Sequence, residues 1–380
     1  GDWSSDVCSS DLQEEEAWWL KDYALFMAVK KRFGGVQWSE WAEDIRLRWQ
    51  NALDYYREEM YFEIEFQEYM QFKFRQQWMK LKAYANEKGI QIIGDIPIYV
   101  AMDSADTWAN PWLFKLDEKN CPTQVAGCPP DGFSATGQLW GNPLYNWEVH
   151  RNSGYEWWIK RIANCFRLYD VVRIDHFRGF DEYYAIPYGD ATAENGWWEK
   201  GPGIDLFRAI SASLGDREII AEDLGYMTDS VKRLVEESGY PNMKVIEFAF
   251  DERDTGNASD YLPHNYPRNC VVYTGTHDNE TLLSWLEDIT PAERRQVRKY
   301  LNNFKDSGKE LCDDLICLVM QSVANLCIVP MQDYLGLDNS ARMNQPSTLG
   351  KNWKWRLKEG QFTAELQKEM LELATRYGRR

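Results

Sequence analysis

An α/β fold with parallel strands is what this sequence predicts, on three observations. Short apolar runs recur at Gln91 to Val100, Asp170 to Asp175, Glu218 to Glu222, Lys244 to Phe250, Cys270 to Thr274 and Leu326 to Met331. Helical stretches stand between them, among them Tyr155 to Leu168, Asp229 to Ser238 and Pro291 to Phe304. Each apolar run ends in polar or charged residues, as buried strands do where they leave a sheet. Strands that alternate with helices build βαβ units, which gives six parallel strands. Chain order alone does not separate an open doubly wound sheet from a barrel. The lack of a G-x-G-x-x-G after the first strand, and of a Walker motif, weakens the nucleotide-binding version.

The 380 residues suffice for one large domain or up to three. At 44% hydrophobic and 14% aromatic the chain is globular. Eighteen tryptophans are many; indole faces stack on sugars and bases, although core filling is the ordinary use of any one of them. A net charge of −17 excludes nucleic acid and anionic membranes as expected partners and suits a neutral polar substrate. No run approaches the ~18 apolar residues of a spanning helix, and no signal peptide is visible. The eight cysteines are irregularly spaced. Cys121 with Cys128, and Cys312 with Cys317, do not match zinc spacings, so no metal is expected and reduced thiols in a cytoplasmic protein are the simplest account.

Residues 1–12 are small, polar and without period, and read as a foreign or disordered tail. Residues 13–87 form the next section, a helical, amphipathic subdomain. Trp18, Trp19, Tyr23, Phe26 and Met27, and later Leu53, Tyr56, Met60, Phe62 and Phe66, recur there at helical spacing. Residues 88–380 hold the alternating pattern. Within them, 101–152 is rich in Gly, Pro, Asn and Trp with little periodicity, and is expected as a long inserted loop of functional kind. The helix from Pro291 starts well, because proline suits a first turn.

Three of the expected strand ends present carboxylates: Arg173-Ile174-Asp175-His176, Ala221-Glu222-Asp223 and Thr276-His277-Asp278-Asn279. In a strand, residues two apart share a face, so Arg173 and Asp175 point the same way. A cation beside a carboxylate keeps it ionised. Taken alone this is an ordinary structural ion pair; three carboxylates in register at strand ends are harder to explain as surface charge. Two carboxyl groups, one ionised and one protonated, are what glycoside cleavage with retention needs. Arg173 gives Asp175 the ionised character. The run Ile219-Ile220-Ala221 desolvates Glu222 and favours its protonated form. Asp278 is then a third carboxylate for sugar hydroxyls, and His277 and His176 fall beside these groups.

In this order, Asp175, Glu222 and His277-Asp278 resemble the catalytic set of the α-amylase clan of glycoside hydrolases. The likeness is closer to the 4-α-glucanotransferases, the amylomaltase or disproportionating-enzyme family. It is carried by Asp95-Ile96-Pro97-Ile98-Tyr99-Val100 with Asp103-Ser104-Ala105-Asp106-Thr107-Trp108. It continues in Pro129-Pro130-Asp131-Gly132-Phe133-Ser134 through Gly137-Gln138-Leu139-Trp140-Gly141-Asn142-Pro143-Leu144-Tyr145, and in Arg342-Met343-Asn344 with Asn352-Trp353-Lys354-Trp355-Arg356. The resemblance implies Asp175 as nucleophile, Glu222 as acid/base and Asp278 as transition-state stabiliser. It further implies sugar contacts from Arg173, His277, Asn344 and Asp95, and from Gln138, Trp140 and Asn142 on a cleft loop at Asp131 to Pro143. Trp108, Trp112 and Trp147 are expected as packing residues.

By the same resemblance the fold is of the (β/α)8 TIM-barrel type. Only six of its eight strands are found, which makes the chain look like an N-terminally truncated fragment. The implied activity is retaining transfer of α-1,4-linked glucosyl units to the 4-hydroxyl of a second glucan, with α-1,4-glucans and maltooligosaccharides as partners and no cofactor. The alternatives are a hydrolase of the same clan and a glucan-binding fragment without turnover.

Overall fold

The computed structural model describes residues 14–130, 134–225, 227–251, 258–304, 307–346 and 348–379. The tail 1–12 and residues 131–133 of the expected cleft loop lie outside the described residues. Contacts divide the chain into two units, residues 14–222 with 228–238, and residues 223–227 with 239–379.

The first unit contains β1 (Ile93–Pro97), β2 (Gln124–Cys128), β3 (Gln138–Pro143), β4 (Val171–Asp175), β5 (Glu182–Pro187), β6 (Trp197–Lys200) and β7 (Ile219–Ala221). Of these, β1, β4 and β7 pair in parallel, with Asp95 level with Arg173 and Ile174 level with Ala221. They are three of the six expected strands. Helix Glu156–Leu168 fills the crossover into β4. The second unit holds the other three, β8 (Asn242–Val245), β9 (Cys270–Tyr273) and β10 (Leu326–Ile328), again parallel and in chain order. Leu282, Leu286, Val297, Leu311, Leu315 and Val319, from three helices, form its core. The helix Pro291–Leu301 opens on a full capping box between Thr290 and Glu293 with proline in its first turn.

Two expectations need correction. Residues 101–152 are not a structureless loop. They hold a short helix at Ala105–Ala109, strands β2 and β3, and a helix at Trp147–Asn152. With β5 and β6 these strands make an antiparallel sheet in the order β3-β2-β5-β6. Its strands carry Gly, Pro and Asn, which hide any two-residue alternation. Gly127 shows why: a Cβ there would lie 2.1 Å from the carbonyl oxygen of Gln138 on the paired strand. The run at Lys244 to Phe250 is only half strand. Beyond Val245 the chain turns into a 3-10 helix, Ile246–Phe250, because β9 offers backbone partners only as far as Tyr273, level with Val245.

The helical block is present, and it shares its core with the segment after β1. Trp108 is fully buried among Phe26, Trp41 and Ile45, and its indole N–H donates to the Ile45 carbonyl (3.0 Å). Trp38 donates to the Met102 carbonyl (2.6 Å). The 27-residue helix Tyr61–Glu87 departs from the amphipathic expectation: Phe62 is 82% exposed and Phe72 alone is buried along it. Its apolar residues are spread round the helix, so a neighbour packed on one side leaves many of them exposed. No helix of the described residues is long and apolar enough to cross a membrane, and none of the described cysteines is in a disulfide.

The segment after β4 is anchored by aromatic packing. The turn Phe177–Phe180 buries both phenylalanines completely; Phe177 stacks on Phe207 (centroids 4.8 Å) and Phe180 meets Trp158 edge-on (5.3 Å). Phe180→Ala should cost ~3–5 kcal/mol, the range for emptying a buried aromatic site. Urea unfolding would register it as a lower midpoint with an unchanged slope, whereas an unshifted midpoint would show that this cluster does not secure the segment.

Candidate active site

The carboxyl end of the first unit's parallel strands is built around Arg173. Its side chain is 9% exposed. Nη1 donates to both oxygens of Asp95, at 2.7 Å each, across the β1–β4 pair that puts these residues level. Nη2 lies 3.0 Å from Oδ1 of Asp175, so the pair expected from a two-residue spacing does form. Burial alone would weaken the hold of the guanidinium on its proton. Asp95, Glu222 and Asp175 more than offset that and raise its pKa above the ordinary arginine value. The charge is thus fixed inside, while Asp95 and Asp175 keep 39% and 43% of their side chains open.

Glu222 stands directly after β7 and is buried, as the apolar run before it implies. Its backbone brackets Asp175: the Glu222 N–H donates to Ile174 (3.1 Å), and the Phe177 N–H donates to the Glu222 carbonyl (2.9 Å). The two acids therefore sit side by side on neighbouring strands, which run ~4.8 Å apart. One carboxylate oxygen of Glu222 accepts the backbone N–H of His176 at 2.6 Å. His176 can present that N–H because it takes a left-handed conformation (φ 53°), a region few residues other than Gly, Asn and Asp visit. Burial and then the Arg178 charge push its imidazole down to about 3, so the ring is neutral.

Trp140 on β3 meets the His176 ring edge-on (4.8 Å), and its indole N–H donates to Oε1 of Gln138 at 3.1 Å. Trp140 is thereby brought beside the Asp175 and Glu222 cluster, and the exposed Gln138 is tied to Trp140. The Asn142 amide instead donates to the Val100 carbonyl (2.9 Å), fastening β3 to the segment after β1. Trp108 and Trp147 are packed, as expected. Trp112 is not: it is 58% exposed and lines a cleft of about 320 Å³ with Trp18, Trp19 and Trp157, which includes none of the acids above.

In the second unit the expected residues also gather. The Asn344 amide donates to Oδ1 of Asp278 (2.5 Å), and His277 Nε2 lies 3.3 Å from Oδ2. The backbone N–H of Asn344 donates to the His277 carbonyl (3.0 Å). Arg342 donates to the carbonyls of Asp278 (2.6 Å) and Asn344 (3.0 Å), a brace the sequence motif contained without declaring its use. The His277 ring lies 5.0 Å from that of Trp353. Sequence reasoning missed Glu247, whose one signal was a carboxylate inside an apolar run. Among the described residues no group of three or more His, Cys, Asp or Glu is arranged to hold a metal ion.

Known proteins agree closely with this chain. The 4-alpha-glucanotransferase family model, glycoside hydrolase family 77, matches residues 9–363. A 4-alpha-glucanotransferase from Clostridium butyricum is 48% identical over 368 residues, which span 96% of this chain and 74% of that protein. One from Streptococcus pneumoniae is 49% identical over 363 residues, 95% of this chain and 71% of that protein. Among solved structures, an amylomaltase from Streptococcus agalactiae in complex with acarbose matches with a TM-score of 0.94 at 41% identity, covering 100% of this chain and 75% of its own.

The neutral His176 has a consequence for acid stability. The unfolded chain takes up a proton on this side chain near 6.5, the folded chain only near 3, so protons favour unfolding and stability falls as pH drops through that window. His150, pushed to about 4 by burial, acts in the same direction. His176→Asn, which tolerates the left-handed backbone, should lose less stability than the parent between pH 7 and about pH 4.5. Urea titrations at the two pH values test this, and equal losses would place the proton uptake elsewhere.

Proposed function

The chain belongs to the 4-alpha-glucanotransferase family, and from that footing we propose that it moves α-1,4-linked glucosyl or maltooligosaccharyl units onto the 4-hydroxyl of a second glucan by double displacement. The observation that carries this reading is the pairing of Asp175 with Glu222 on adjacent strands around a buried Arg173. Retention requires two carboxyl groups ~5–5.5 Å apart, a scale that neighbouring strands supply.

In the first half-reaction the Asp175 carboxylate attacks the anomeric carbon as the bond to the leaving 4-oxygen breaks. Glu222 gives its proton to that oxygen. In the second, Glu222 takes the proton of the incoming 4-hydroxyl, whose oxygen displaces Asp175 from the anomeric carbon. Arg173, itself held by Asp95, keeps Asp175 ionised and so a competent nucleophile at neutral pH. Asp278, with His277 and Asn344 around it, is assigned to the sugar hydroxyls that strengthen their bonds in the transition state. Gln138 and Trp140 are assigned to acceptor-side sugars, for which an indole face is suited. Transfer in preference to hydrolysis rests on the family, since the carboxylates would serve water equally well. The chemistry calls for no metal or organic cofactor. A cytoplasmic setting belongs to the same proposal, supported by the described cysteines, which are all free thiols.

Incubation with maltotriose, with chromatography of the products, tests the reaction. Glucose together with maltopentaose and longer oligomers is the expected outcome. Shorter sugars alone would make the chain a hydrolase, and glucan binding without products would make it a binding protein. Glu222→Gln should lower turnover by ~10²–10⁴-fold, the worth of a general acid, and Asp175→Asn should abolish it. Near-normal turnover in either variant refutes the assignment.

A further inference from the structure

Glu247 stands apart from the acids assigned to the reaction, in the run Met243-Lys244-Val245-Ile246-Glu247-Phe248-Ala249-Phe250. Its neighbours Ile246, Ala249 and Phe250 belong to the apolar core of the second unit, and Glu247 itself is 5% exposed. A carboxyl group in such a place demands partners. Those it has are few. Among the described residues its Oε1 accepts no hydrogen bond, and the Asn279 side chain faces it across Gly275 and steadies its charged form.

The surrounding charges make an ionised carboxylate still less tolerable. Asp333, on the short helix Met331–Tyr334, and Glu280, just after the turn that carries His277 and Asp278, both face it with like charge. Arg342 is the facing cation. It is already engaged by the carbonyls of Asp278 and Asn344 and stands 3.8 Å from Glu280. Asp333 accepts from the Thr274 hydroxyl (2.5 Å) and the Leu282 N–H (2.9 Å), and Glu280 accepts from Asn339 (2.9 Å). Burial pushes the Asp333 carboxyl up as well, and its two donors pull against this. Burial first, then Asp333 and Glu280, push the Glu247 carboxyl well above the usual range; Asn279 and Arg342 pull against this without prevailing.

The geometry also ties this group to the turn. A Cβ at Gly275 would stand 2.9 Å from Oε1 of Glu247, so the carboxyl lies directly against the backbone where the turn begins. Asn279 closes it from the other end. Its Oδ1 accepts from both the N–H (2.9 Å) and the hydroxyl (2.7 Å) of Thr276, and the Thr276 hydroxyl in turn accepts the Asp278 N–H (3.3 Å). The amide nitrogen of Asn279 is what remains for Glu247. A shift of Glu247 is therefore passed to Asn279, then to Thr276, then to the backbone of Asp278.

We propose that Glu247 is a positioning residue that seats the Gly275–Asn279 turn through Asn279 and so fixes the carboxylate of Asp278. This rests on the assignment of Asp278 to the transition state. A misplacement on the order of 1 Å at a reacting group costs ~10²-fold in rate, and it touches the reaction step more than ground-state binding.

The test compares Glu247→Gln, Glu247→Ala and Asn279→Ala in the full chain on maltotriose. Glu247→Gln copies the shape of the neutral acid and should keep kcat within about twofold at pH 6–7, whereas the two alanine variants should lose ~10–100-fold in kcat with KM little changed. Thermal unfolding against pH reads the charge state separately. The unfolded carboxyl ionises near 4.5 and the folded one well above it, so the parent loses stability as pH rises past 4.5. The midpoint of Glu247→Gln relative to the parent should accordingly climb from pH 4.5 to pH 8. A flat difference contradicts the neutral acid. Should Glu247→Ala fail to fold, Asn279→Ala carries the positioning arm: full kcat there, with Asp278→Asn inactive, overturns the proposal while leaving the site reading intact. Full activity in Asp278→Asn would instead overturn that reading, and the proposal with it.

Discussion

A guanidinium buried at the end of a parallel strand is the constraint on which the first unit's chemistry depends. Arg173 cannot keep its charge at 9% exposure without anions around it, and three carboxylates answer that requirement. Asp95 takes one nitrogen with both of its oxygens, and Asp175 takes the other. The arrangement fixes Asp175 as a charged group with an open end, the state a nucleophile needs. His176 beside it stays neutral, first through burial and then through the nearby Arg178 charge. The aromatic anchors Phe177 and Phe180 then convert a charge requirement into a rigid turn.

The second unit holds its carboxylate differently. Asp278 has an amide from Asn344 and the edge of His277, and Arg342 grips the backbone of the turn in place of the carboxylate. A carboxylate that accepts from an amide keeps more of its charge available to a substrate than one neutralised by a buried guanidinium. That difference fits the division proposed between a nucleophile whose ionisation is guaranteed and a stabiliser whose field must reach outward.

Much of this was legible in the chain, for identifiable reasons. Buried parallel strands are continuous apolar runs, so β4, β7 and β9 announced themselves; β1 and β10 were found by the same signal although they are only partly covered, and the two-residue period of a strand was enough to pair Arg173 with Asp175. The proline that opens the helix Pro291–Leu301 is a local signal and was equally plain. The antiparallel sheet of β3, β2, β5 and β6 was not visible, because its close approach needs Gly127 and other residues that erase alternation. The helix Tyr61–Glu87 was misread as amphipathic because its apolar residues are spread round it and not gathered on one face. Of the site, each acid could be named from its strand end. The bidentate grip of Asp95, the fastening role of Asn142 and the buried Glu247 depend on contacts between residues distant in sequence, which no local pattern carries.

Everything in the functional account turns on Asp175 forming a bond to sugar. Glu222→Gln treated with α-maltotriosyl fluoride tests this, since fluoride leaves without a protonated acid and the missing base slows release of the glycosyl group. Intact-mass and peptide mapping should find one maltotriosyl group esterified to Asp175. A protein that stays unmodified while fluoride is released, or an adduct on any other residue, would contradict the account.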